Sequence, residues 1–202
     1  MKDIETEKKL ETAKLLDAVK EGDLRLVRKA LSNGASLNGN GDVTPLGYAI
    51  QTQNRSMVRF LLNQGADVDK PHLEAKPLVH AIQSKNPEVA EELLFKGANP
   101  NETIGIHAPW DKYQIIVKTP LIIAVEEGAF EVAQKLIKHG ADPMKFVWQN
   151  ENAFVTAVDC NRGPEWIKLL KKTIQRPITR QGIEAAKRTL DEVRQRQRRY
   201  GE

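Results

Sequence analysis

The side chains able to do chemistry are few and scattered. There are four histidines (His72, His80, His107 and His139) and one cysteine, Cys160. No two histidines stand at the helical spacing of a metal-binding pair, and no carboxylate cluster brings a second ligand set. A single cysteine leaves no intrachain disulfide and no cysteine-based zinc site. Cys160 has no histidine near it in sequence to draw off its proton, so it reads as a buried or half-buried structural thiol. There is no phosphate-cradling loop, no glycine-rich dinucleotide turn and no nucleophile elbow. No cofactor, no metal and no enzymatic activity are expected. His139 precedes Gly140, near a helix C-terminus, where an imidazole suits the dipole. His80 reads as a packed residue among apolar neighbours. His72 and His107 fall in loops, where they are expected to meet a partner.

Binding chemistry is richer. Segment 102–117 holds Ile104, Ile106, His107, Trp110, Tyr113, Ile115, Ile116 and Val117. Pro109 and Asp111 around Trp110 predict a turn, and the flanks TIGI and YQIIV predict extended strand. Trp and Tyr are enriched among residues that dominate binding energy, and long loops in compact domains are usually functional. Ile106, His107, Trp110, Asp111 and Tyr113 are therefore candidate partner contacts. The competing reading packs Ile115, Ile116 and Val117 back onto the body, with Trp110 covering their base. Trp148, in MKFVWQNE, either joins this aromatic patch or closes the core with Phe146.

These side chains need a body to hold them. The chain has 202 residues, 40% hydrophobic and 29% charged, enough for one globular domain with an extension. Its start, MKDIETEKKLETAKLL, lacks a long apolar run and reads as neither signal peptide nor spanning helix. A cytoplasmic monomer is expected, with a processed periplasmic or secreted form as the alternative. The net charge of +4 is uneven: residues 171–202 hold ten Lys/Arg against four Asp/Glu, so the body before them is slightly acidic. Beyond Pro177, Ile183, Ala186, Leu190 and Val193 make one apolar helix stripe. Segment 173–202 is expected to be a basic capping helix. The rival use of its arginines is nucleic acid or an acidic surface, although Tyr200 alone makes no stacking platform.

Repetition organises the body. Gly-Ala recurs at 34, 65, 97 and 140, with steps of 31, 32 and 43 residues. Thr44-Pro45-Leu46, Lys76-Pro77-Leu78 and Thr119-Pro120-Leu121 precede three of these, each followed by a small residue: Ala49, Ala81, Ala124. A threonine hydroxyl caps a helix, and proline tolerates its first position because no amide hydrogen is needed there. A polar break follows, then a second helix with apolar residues at helical spacing, such as Met57, Val58, Leu61 and Leu62. Glycine then ends that helix in a left-handed conformation. Ala18 and Ala157 extend the series to about five units. The 43-residue step contains segment 102–117.

Three stretches carry the signature in order: TPLGYAIQTQNRSMVRFLLNQGADVD, KPLVHAIQSKNPEVAEELLFKGANPN and TPLIIAVEEGAFEVAQKLIKHGADP. They resemble the ankyrin repeat. Residues 13–38 look like a first repeat without its Thr-Pro-Leu start, and 152–170 like a degenerate last one. The resemblance implies an all-α solenoid over 13–172, with loop fingers, one enlarged at 102–117, and helical end caps at 1–12 and 173–202. It also implies non-catalytic binding of a protein through the concave face and fingers. The groove positions it implies are Lys20 and Glu21, Gln51 and Thr52, Gln83 and Ser84, Glu126 and Glu127, and Asp159 and Cys160, with finger positions Val43, Ala75, Lys118 and Glu151. Glu126, Glu127, Glu151 and Asp159 form an acidic patch, suited to a basic partner or to the chain's own tail. A sharper form is an inhibitor or immunity-type protein whose finger blocks an enzyme's cleft. The family's histidine after Pro-Leu is replaced by Gly47, Val79 and Ile122, which implies a thinner polar network between neighbouring loops.

Overall fold

The computed structural model describes residues 4–108, 111–145, 147 and 151–172. Trp110, Trp148 and the basic segment 173–202 lie outside the described residues, as do the side chains of Ile106, His107, Asp111 and Tyr113. The chain divides into two compact units, one ending at Asn99 and the other starting at Pro100.

The first unit is three helix pairs: α1 (Ile4–Glu21) with α2 (Leu24–Ser32), α3 (Pro45–Gln51) with α4 (Arg55–Asn63), and α5 (Pro77–Gln83) with α6 (Pro87–Phe95). Their starts follow from capping chemistry. Thr44 Oγ1 accepts the Gly47 N–H at 3.1 Å. Asn54 and Asn86 accept the Met57 and Val89 amides, each at 3.1 Å. Asp23 accepts two amides at the start of α2. The turn inside a pair needs one left-handed residue. Gln53 and Lys85 take that conformation without being glycine, at φ +54° and +51°. The second helices end before glycines with φ near +90°, Gly34 and Gly65, so that the amide of the following Ala35 or Ala66 reaches a carbonyl five residues back.

Packing runs from pair to pair. Helix α1 packs on α3, α3 on α5, and α4 on α6. Leu15, Leu46, Ile50, Met57, Leu61, Ile82 and Leu93 are fully buried there, each worth about 1.5–3 kcal/mol relative to exposure. The loops are tied as well: Asn38 Oδ1 accepts the Asp67 N–H at 2.8 Å.

The second unit opens with a β-hairpin, β1 (Ile104–Ala108) against β2 (Asp111–Lys118). The strands are antiparallel, with Ile104 opposite Lys118, Ile106 opposite Ile116 and His107 opposite Ile115. A register shift follows His107. Two more helix pairs come next: α7 (Pro120–Glu127) with α8 (Phe130–Lys138), and α9 (Ala153–Asp159) with α10 (Pro164–Lys172). Helix α7 packs on α9 and α9 on α10, around Leu121, Ile122, Leu136 and Leu170. Trp166 is buried, its ring 5.0 Å from that of Phe130 in an edge-on contact. The loop tie recurs: Asn101 Oδ1 accepts the Asp142 N–H at 2.7 Å, and its Nδ2 donates to the Gly140 carbonyl at 2.7 Å. Among the described residues, no helix is long and apolar enough to cross a membrane.

Helix α6 offers an internal control for this packing. Leu93 is fully buried, whereas Phe95, two residues on, is 80% exposed. Leu93→Ala is expected to cost about 2–5 kcal/mol in urea unfolding, and Phe95→Ala less than about 0.5 kcal/mol. Equal losses would contradict the packing.

Candidate protein-binding surfaces

In the first unit the expected groove positions Gln51, Thr52, Gln83 and Ser84 lie at the ends of α3 and α5. Gln51, Thr52 and Gln83 are exposed, and Ser84 and Val43 are half-buried. The hydroxyls are not on offer. Thr52 Oγ1 donates to the Tyr48 carbonyl at 2.9 Å, and Ser84 Oγ to the His80 carbonyl at 2.8 Å. The Gln51 and Gln83 amides are what this row presents.

His72 is not a surface contact, contrary to the expectation from its loop position. It is 1% exposed, and its Nδ1 accepts the Thr44 N–H at 3.0 Å. Its ring fills the space that Gly47 leaves open: a Cβ on Gly47 would stand 2.0 Å from His72 Cγ. Tyr48 and His80 flank it edge-on, with ring centroids at 5.0 and 5.7 Å. His80, half-buried, places its Nε2 3.0 Å from the His72 carbonyl. A histidine from the following loop thus ties back to the start of α3 beside Gly47. The neighbouring Leu73, 53% exposed, is a surface residue that sequence reasoning missed. Its φ of +58° belongs to a conformation in which leucine is not expected, so the sequence carried no signal for it.

In the second unit, the hairpin is the enlarged finger. Ile115 is 51% exposed, while Ile116 and Val117 are half-buried. Three of the four acidic positions, Glu126, Glu151 and Asp159, act on one another electrostatically. The Lys118 ammonium pairs with Glu126. Thr156 Oγ1 donates to Glu151 Oε1 at 3.0 Å. Burial pushes the Glu151 carboxyl above its ordinary value of 4.5. The Thr156 bond opposes this, Glu126 and Asp159 add to it, and Lys118 offsets part of it. Asp159 is an exposed residue whose carboxyl is raised by partial burial. Glu127 is exposed. Arg162 spans α7 and α9, donating to the Val125 carbonyl at 2.8 Å and to that of Glu126.

Cys160 corrects a second expectation: it is exposed, at the C-cap of α9. Local burial raises the pKa of its thiol, Arg162 opposes this, and the Glu126, Asp159 and Glu151 carboxylates add to it. Among the described residues no group of three or more His, Cys, Asp or Glu is placed to hold a metal ion.

Two family matches fit this architecture. Residues 15–104 match "Ankyrin repeats (3 copies)" and residues 118–145 match "Ankyrin repeat", together more than half of the chain. The chain belongs to the ankyrin-repeat family. Its fold is the all-α ankyrin solenoid class, and the stretch between the two matches is most of the hairpin. No curated protein matches the sequence. Ankyrin repeats are generally protein–protein interaction modules and typically non-catalytic.

The acidic cluster has a stability signature. An acid whose folded pKa is raised stabilises the fold most at low pH and loses that contribution as pH climbs from 4.5 through the folded value. Glu151→Gln keeps an acceptor for Thr156 and removes the charge. It is expected to melt above wild type near neutral pH, the gain shrinking toward pH 4.5. A lower melting temperature at neutral pH would contradict the assignment.

Proposed function

We propose that this chain is a non-catalytic binder of one partner protein, with the hairpin of segment 102–117 as its specificity element. The observation that carries this is the hairpin itself. It interrupts the repeat between the two family matches and is built of paired strands, with Ile115 turned to solvent. A preformed hairpin loses less conformational freedom on binding than an irregular loop does. Gln51 and Gln83 in the first unit, and Glu126, Glu127, Glu151 and Asp159 in the second, supply polar complements. The acidic group favours a partner with basic side chains, because a cation there would lower the cost of ionising Glu151. A paired hairpin also suits insertion into a partner enzyme's cleft, which is the inhibitory form of the same reading.

Replacing residues 104–116 by a short Gly-Ser turn tests it. Affinity capture from native lysate is run with the two proteins side by side. The altered protein is expected to melt cooperatively and to retain the partner at least about 30-fold more weakly, the loss from removing one dominant contact. Unchanged retention by a cooperatively melting protein would contradict the proposal.

A further inference from the structure

Three features meet in the loop before α5. His72 Nδ1 accepts the Thr44 N–H, so the neutral ring carries its proton on Nε2, and Nε2 is buried without a hydrogen-bond partner. The ring sits in a recess that exists only because residue 47 is glycine. The next residue, Leu73, is held at φ +58°, a conformation costly for leucine. Its N–H donates to the Asp42 carbonyl at 2.5 Å. An exposed leucine in a strained backbone persists only where its surroundings over-determine it. Here those surroundings are the buried imidazole on one side and the Asp42 bond on the other.

We propose that the His72 imidazole is a proton-operated latch. Neutral, it pins this loop to the start of α3 and presents Leu73. On taking a proton from solvent at Nδ1, it leaves the recess and frees the loop. Only the neutral ring can accept from Thr44. A proton on Nδ1 would set two donors against each other at 3.0 Å and place a charge in a recess closed to water. No carboxylate bonds either ring nitrogen, since Thr44 occupies one and the other has no partner.

The surrounding groups oppose the charge further. From α5, His80 faces the ring and would add a second positive charge once protonated. From α3, Tyr48 contributes its ring, and the Lys20 ammonium of α1 lies over that ring at 4.7 Å. On the loops themselves, Asp69 and Lys76 pair with each other at 3.9 Å. Asp42 meets the loop through its carbonyl, and Glu74 is exposed. Burial first, then His80, holds the ring's pKa below the ordinary 6.5. The unfolded or opened ring therefore binds protons first as pH falls below 6.5, and the closed loop loses stability from there down to its own lower pKa.

The test is amide hydrogen exchange on the full chain between about pH 8 and pH 5, corrected for intrinsic rates. Opening at Leu73 and Thr44 is expected to increase together, by up to about tenfold per pH unit below 6.5, while Val58 in α4 stays protected. His72→Asn, which keeps an acceptor but cannot titrate in this range, is expected to abolish the pH dependence. Should that variant not fold, ring nitrogen shifts of wild-type His72 decide instead. They are expected to show Nε2–H at high pH and a midpoint below 6.5, with Leu73 exchange rising from pH 6.5 down to that midpoint and levelling below it. Overturning results are a His72 midpoint at or above 6.5, exchange at Leu73 that stays flat from pH 6.5 down to the His72 midpoint, or an unchanged pH dependence in His72→Asn.

Discussion

A pair of short helices cannot bury its own apolar faces, and everything else in this chain follows from that. Helices of seven to nine residues, such as α3 and α4, are marginal alone in water. Within each unit they persist because adjacent pairs cover one another: α3 lies between α1 and α5 in the first, and α7 packs on α9 in the second. The fully buried leucines and isoleucines therefore sit on helix faces turned to an adjacent pair, and stability is a sum of neighbour terms. This constraint also frees the loops. They need only link one helix to the next, and the one that follows α6 carries the hairpin.

Because the loops cross the ends of short helices, their polar groups must be satisfied locally. Two devices do this. Asparagines at 38 and 101 bridge to the next loop, and His72 bridges back to Thr44. The second device depends on a missing side chain. Gly47 is not in a glycine-specific conformation; it is there because an imidazole from another loop occupies the space of its Cβ. A residue that looks like a weak spot in one repeat is thus the socket for the next.

The repeat was legible because its signals are local. Thr-Pro-Leu, the alanine after it and Gly-Ala each report a cap, a packed contact or a helix stop, and those depend on a few adjacent residues. The strands at Ile104–Ala108 and Asp111–Lys118 were legible from β-branched runs either side of a Pro-containing turn. What the sequence hid were the long-range substitutions. His72 sits in a polar loop, DKPHLEAK, and nothing near it tells that its ring reaches back 28 residues to Thr44. Leu73 was hidden for the same reason, since its backbone conformation is imposed from outside its own segment. Cys160 was misplaced because a single thiol beside α9 has no periodic pattern to fix its side of the helix. Lys118 as the counter-charge of Glu126 was not legible, because that contact needs β2 and α7 to be set side by side.

On the proposed reading, the helix pairs hold each unit together and the hairpin is the part that meets a partner. Photocross-linking tests that division most directly. A photoreactive residue is placed at Ile115, on the exposed side of β2, and separately at Glu131, exposed on α8. The account predicts one discrete adduct in native extract from position 115 and none of that mass from position 131. The same adduct from both positions, or from position 131 alone, would contradict it.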